Sequence, residues 1–355
     1  MTHSFSETEL LQAANKTVDP VFGQPLSTLR TVKQVAVADG RVKVSIELPL
    51  YGYPQEEQLT QAVQQSIASA HPDAGPVDVD YSVKVRGKDS GGSIGLKVKN
   101  VIAVGSGKGG VGKSTMAASI AYGLRQMGAS VGLMDADVYG PSIPHMLNVT
   151  GQPAASEPSP GVMRIEPNVA AGGVKVMSIG FFVKPDQAIV WRGPMLHKTL
   201  TQFLKDVDWG ELDYLIIDMP PGTGDVSLTL SQLLGLAGAV IVCTPQQVAL
   251  LDAVKAISMF NQVRIPVLGM VENMSGEIFG RGGASDKAKE LNVPFLGEMP
   301  IEAQVRIQGD AGDMVKLFDE DSPAREPLMN ISQQVALEVA KKLFEGGSMP
   351  TLEIL

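Results

Sequence analysis

Gly107-Lys108-Gly109-Gly110-Val111-Gly112-Lys113-Ser114 is the stretch that decides the fold. It fits G-x-x-x-x-G-K-[ST]. The apolar run Val101-Ile102-Ala103-Val104 precedes it and an Ala-rich helical pattern from Thr115 to Gln126 follows, which is the strand–loop–helix setting this pattern requires. Glycines let successive backbone N–H groups turn onto phosphate oxygens, and the helix N-terminus adds partial positive charge. The segment from Gly107 to Thr115 therefore reads as nucleotide-binding. Lys113 reaches the β- and γ-phosphates, and the Ser114 hydroxyl ligates Mg²⁺.

Two acidic strand ends complete a phosphoryl-transfer reading. The apolar strand Val131–Asp135 ends in Asp135-Ala136-Asp137, and Asp213-Tyr214-Leu215-Ile216-Ile217-Asp218 is a second apolar strand ending in an acid. Such chemistry needs positioning and charge stabilisation rather than a strong base. Asp218 is assigned to the Mg²⁺ water shell. Of the first pair, Asp137 is favoured for orienting the attacking water and Asp135 for the Mg²⁺ shell. Gly222 and Gly224 follow Asp218 and permit a loop that moves when the γ-phosphate leaves.

The chain has 355 residues, is 44% hydrophobic and 19% charged, and carries a net charge of −9. One or two domains are expected. The acidic balance argues against a surface that coats nucleic acid, which needs clustered Lys and Arg. No apolar run approaches the ~18 residues of a membrane span. A single cysteine, Cys243, rules out an internal disulfide framework, and the polar N-terminus lacks a secretory pattern, so a cytoplasmic protein is expected.

Two units are expected. Residues 1–88 follow a helix, strand, strand, helix, strand pattern, with Val32–Val37 and Arg41–Leu48 alternating around an Asp39-Gly40 hairpin turn. Residues 89–97 read as a linker. From 98 to 355 apolar strands alternate with helices: Val101–Val104, Val131–Asp135, Val174–Ile179, Leu215–Asp218, Val240–Cys243, Val267–Glu272 and Pro294–Leu296. That alternation predicts an α/β fold with a mostly parallel, doubly wound sheet, ligands sitting at the carboxyl ends of its strands, preceded by a small α+β domain. Residues 151–173, rich in Pro, Gly, Ser and Ala, read as an excursion.

The early lysine narrows the family. K-G-G-x-G-K-[ST] resembles the deviant Walker A motif of the ParA, MinD, nitrogenase iron protein and ApbC/Mrp ATPases. Asp135-Ala-Asp-Val-Tyr-Gly-Pro-Ser142, Trp191-Arg-Gly-Pro-Met195, Trp209-Gly-Glu-Leu-Asp213, Asp218-Met-Pro-Pro-Gly-Thr-Gly-Asp225, Thr244-Pro-Gln246 and Val271-Glu-Asn-Met-Ser275 resemble the ApbC/Mrp branch. The smaller unit, with Val18-Asp19-Pro20, resembles the MIP18-like domain often fused ahead of it. The resemblance implies an ATP-hydrolysing homodimer that carries iron–sulfur clusters to apoproteins. It further implies that Lys108 crosses the dimer interface to the partner's nucleotide and that Asn273 hydrogen-bonds adenine. Apoprotein acceptors or iron–sulfur assembly proteins are the implied partners, with neither nucleic acid nor membrane among them.

The sequence departs from the family pattern at two places. Many ApbC/Mrp proteins carry Cys-x-x-Cys after Glu-Asn-Met-Ser; here Ser275 runs directly into Gly276-Glu277-Ile278-Phe279-Gly280. Tyr53 stands before Pro54 where a cysteine is common. His3, His71, His145 and His197 have no ligand spacing. Cys243 ends an apolar strand and reads as a buried small residue. These absences leave a second reading open, an ATP-gated scaffold whose nucleotide state controls the docking of partner proteins.

Overall fold

The computed structural model describes residues 6–87, 96–137, 140–159, 162–182, 201, 204–222, 224, 228, 233 and 235–345. The Trp191–Met195 motif, His3, His197, most of the 89–97 linker, and Thr223 and Asp225 of the loop after Asp218 lie outside the described residues. Chain contacts divide the molecule into two units: one runs to Arg86 and includes the chain from Ala340 onward, and the other spans Gly87–Val339.

In the smaller unit, α1 (Glu7–Lys16) starts at Ser6, whose hydroxyl accepts from the Glu9 N–H while the Glu9 carboxylate accepts from the Ser6 N–H. This reciprocal cap satisfies N–H groups that the first turn leaves unpaired. A short α2 (Leu26–Leu29) follows. Strands β1 (Val32–Ala38) and β2 (Arg41–Leu48) form the expected hairpin: Asp39 (φ 52°) and Gly40 (φ 72°) both take the left-handed conformation that a two-residue turn requires. Helix α3 (Glu56–Ala70) buries Leu59, Val63 and Ile67, the i, i+4, i+8 stripe of an amphipathic helix. Strand β3 (Val77–Val83) then pairs parallel to β2. Within this unit the Phe344 ring packs edge-on against Phe22, with centroids 4.9 Å apart, and takes the Arg86 guanidinium 5.6 Å from its own centroid.

In the larger unit, β4 (Val98–Gly105) leads through the glycine loop into α4 (Lys113–Gln126) and β5 (Val131–Asp135). After α5 (Ile143–Met146), the hairpin β6 (Ala155–Ser159) and β7 (Val162–Ile165) and the short β8 (Asn168–Val169) occupy the stretch read as an excursion, and β9 (Lys175–Ser178) returns to the sheet. Then come β10 (Leu212–Asp218), β11 (Leu236–Cys243), α6 (Gln247–Gln262), β12 (Val267–Ser275), α7 (Gly283–Glu290), β13 (Phe295–Pro300), α8 (Ala303–Ala311) and α9 (Arg325–Glu345), which counts with this unit as far as Val339. Eight of these strands form one sheet in the order β13-β12-β11-β4-β10-β5-β9-β8, parallel throughout except for the β8–β9 edge. All seven residues of β10 and all five of β5 are buried, as expected of strands covered on both faces. The expected α/β architecture with a small α+β unit is what the structure has.

Candidate functional site

Parallel strands bring their carboxyl ends to one edge of the sheet, and the chemistry collects there. Asp218, the last residue of β10, is the register partner of Val104 on one side and of Asp135 on the other. The glycine loop leaves β4 beside them. Gly110 (φ 81°) and Gly112 (φ 80°) take a backbone conformation that L side chains rarely adopt, and Gly112 is the N-cap of α4. A Cβ on Gly107 would collide with the backbone of Asp252 and Ala253 in α6, so the loop is seated against that helix without room for a side chain. The chain after β10 lies along the loop's entry: Met219 N–H donates to Val104 O (3.0 Å) and Gly222 N–H to Ser106 O (2.9 Å).

Lys113 is only 6% exposed, and a buried ammonium demands partners. It pairs with the Asp218 carboxylate, donates to Ser114 Oγ at 3.2 Å and lies 3.9 Å from an Asp137 carboxylate oxygen. Four residues read from sequence as one site, Lys113, Ser114, Asp137 and Asp218, are thus brought together. Burial pushes the Asp218 carboxyl above the ordinary carboxylate range while Lys113 opposes the shift. Among the described residues its buried Oδ2 has no hydrogen-bond partner.

Asp135 sits beside this group but is engaged elsewhere. Its Oδ1 accepts from Asp137 N–H (3.1 Å), and its Oδ2 from Ile143 N–H (3.2 Å) and the Ser178 hydroxyl (3.1 Å). Its carboxyl is pushed up to about 7, first by burial and then by the nearby Asp218. Asp135 therefore braces the turn that carries Asp137. Ser178 is a member of this site that the sequence reading missed; it is brought in by β9 pairing, with Ser178 opposite Asp135, and no local pattern marks it.

Lys108 is half-buried, and among the described residues its ammonium has no ion-pair partner; its carbonyl accepts from Ser106 Oγ. Asn273, near the end of β12, donates from Nδ2 to the Val111 carbonyl of the glycine loop at 2.9 Å. The structure therefore places Asn273 on the phosphate loop itself. Glu272, fully buried, accepts from Gly282 N–H and Ala284 N–H, both at 2.7 Å, and so caps α7.

A hard cation with phosphate oxygens takes one or two carboxylates and hydroxyls rather than a complete protein cage. The unpartnered Asp218 Oδ2 beside Ser114 Oγ fits Mg²⁺ in that manner. Among the described residues no three His, Cys, Asp or Glu side chains gather as a metal-binding group. Cys243 is 1% exposed, and burial and then Glu272 push its thiol up to about 12, so it is a core residue rather than a thiolate. Among the described residues no helix is long and apolar enough to cross a membrane.

Comparison with known proteins agrees with the fold. Residues 97–336 match the NUBPL iron-transfer P-loop NTPase family, and residues 7–79 match the family described as iron-sulfur cluster assembly protein. The iron-sulfur cluster carrier protein of Synechocystis is 43% identical over 91% of this chain and 94% of its own length. That of Escherichia coli is 40% identical over 94% and 92%, and the iron-sulfur cluster transfer protein NUBPL of Dictyostelium discoideum is 45% identical over 67% and 76%. Among solved structures, an ADP-bound nucleotide-binding protein from Archaeoglobus fulgidus superposes with a TM-score of 0.55 at 39% identity, covering 64% of this chain and 91% of that one. The cell division ATPase MinD of Pyrococcus furiosus, at 19% identity, 66% and 98% coverage and a TM-score of 0.53, shares the fold. This chain belongs to the NUBPL iron-transfer family of P-loop NTPases, with an iron-sulfur cluster assembly domain at its N-terminal end.

Proposed function

We propose that this protein is a cytoplasmic, Mg²⁺-dependent ATPase that works as a homodimer and delivers iron–sulfur clusters to apoproteins. One observation carries the ATPase reading: the Lys113 ammonium, buried at the start of α4, is held among Asp218, Asp137 and Ser114 at the mouth of the glycine loop. On binding a triphosphate, Lys113 exchanges these partners for β- and γ-phosphate oxygens. The segment Gly107–Thr115 wraps the phosphates with backbone N–H groups. Ser114 and Asp218 would hold Mg²⁺, which neutralises phosphate charge when bound. Asp137 orients the attacking water, while Asp135 keeps the Asp137 turn in place and joins the outer Mg²⁺ shell. Asn273 retains one N–H and its Oδ1 for the adenine edge. Lys108 reaches the partner subunit's nucleotide, which is what makes hydrolysis depend on dimerisation.

The cluster is cargo. The relatives named as carriers favour this over the ATP-gated scaffold, yet the chain's one thiol is buried at the end of β11. Acceptors or iron–sulfur assembly proteins therefore supply the thiolates, and ATP turnover times the hand-over. Anaerobic incubation with iron and sulfide tests this. The chain alone is expected to stay colourless, and adding an apoprotein acceptor with MgATP should give cluster absorbance on the acceptor faster than without the chain. Equal rates with and without it would contradict the carrier role.

A further inference from the structure

The end of β12 is built irregularly, and the irregularity has a target. Pairing with β13 slips between Asn273 and Ser275, and Met274 between them takes a left-handed backbone (φ 59°). A non-glycine residue there costs on the order of 1 kcal/mol and persists only where surrounding structure enforces it. The slip re-aims Asn273, as such bulges do. Its Nδ2 then meets the Val111 carbonyl, and since a carbonyl only accepts, the amide nitrogen is the donor. The approach is close enough that a Cβ on Gly112 would collide with this same Nδ2.

The neighbouring residues hold a second object. Glu272 grips the N–H groups of Gly282 and Ala284. Between Ser275 and Gly282 the chain folds back as a tight hairpin in which Gly276 and Gly280 exchange both N–H···O bonds at 2.8 Å. Its tip presents Ile278, 76% exposed, beside Phe279. Two consecutive residues of one strand thus fix the phosphate loop on one side and the chain leaving the hairpin on the other.

We propose that Asn273 is a positioning residue that ties the phosphate loop to the end of β12 and makes the Gly276–Gly280 hairpin respond to what the loop binds. The inference rests on the nucleotide-binding reading above. Phosphates draw the loop's N–H groups inward, which fixes the opposed Val111 carbonyl; Asn273 passes that constraint to β12, and Glu272 passes it to the hairpin.

Amide hydrogen exchange of residues 276–282, with and without MgADP, tests this, with calorimetry run on the same samples. In the wild type, saturation should slow exchange of these amides by about tenfold. Asn273→Ala also gives up the adenine contact, so it should bind MgADP more weakly; at MgADP concentrations that calorimetry shows to be saturating it should still protect residues 107–115, but the hairpin should lose its response. A merely structural Asn273 would change stability without separating these two regions. Wild-type binding with no hairpin response overturns the inference and needs no variant; so does a variant that binds and still protects the hairpin. A wild type that does not bind MgADP overturns the nucleotide reading and this inference together.

Discussion

At the scale of single residues, two lysines of one loop carry different loads. Lys113 is buried among carboxylates, and on the proposed function its substitution removes the charge offered to the phosphates. Lys113→Ala should lower ATP hydrolysis by on the order of 10²–10³-fold, the loss typical of deleting one positioned charge or donor at a developing negative charge. Lys108 touches no described carboxylate, so Lys108→Ala should leave the unfolding midpoint unchanged while abolishing ATP-dependent dimer formation. Phosphate release and sedimentation with a slowly hydrolysed ATP analogue check both. Asp135 sets a pH dependence. Folding raises its pKa from 3.8 to about 7, so the folded state binds that proton more tightly. Its contribution is complete below about pH 4 and is lost as pH rises through about 7, at up to about 1.4 kcal/mol per pH unit. Denaturant titrations of nucleotide-free protein should show stability falling across that window, and Asp135→Asn should flatten the slope.

At the scale of elements, the glycine loop is a close fit between α4, α6 and β12. Gly112→Ala must place a methyl group at φ 80° against Asn273, so a loss of about 1–3 kcal/mol in stability is expected, with weakened nucleotide binding. Gly109→Ala, where a Cβ meets nothing within 4 Å, should leave stability near wild type, and urea midpoints separate the two. Much of this layer was legible in sequence, because it is written in local patterns. The apolar runs gave β4, β5, β10, β11 and β12; Asp39-Gly40 gave the hairpin; and G-x-x-x-x-G-K-S gave the loop before α4. Boundaries widened where polar residues joined a ladder, as at Val98–Asn100 and Asn273–Ser275. What the sequence did not disclose depends on pairing across distance. Ser178 reaches Asp135 from β9, 43 residues away, and Asn273 reaches Val111 across 162. No periodicity encodes a strand slip that turns one amide toward a loop so remote in the chain. Asp135 illustrates the same limit: its place at a strand end was readable, but the three donors that engage its carboxylate were not.

At the scale of the whole molecule, a sheet edge that gathers Lys113, Ser114, Asp137 and Asp218 lies in a chain whose cysteine is sealed in the core. On the proposed function, nucleotide chemistry and cluster ligation are therefore separable. Cys243→Ser should leave both ATP hydrolysis and cluster hand-over to an acceptor unchanged, since the proposal gives the buried thiol no ligand role; a loss of transfer in a folded, ATP-hydrolysing variant would reassign it. Nucleotide capture by the glycine loop comes before every later step. Titration calorimetry of purified wild-type protein and Lys113→Ala with MgATP tests this most directly: the wild type should bind in a saturable manner and the variant should release no heat of binding. An absence of binding by the wild type, or equal binding by the two, would contradict it.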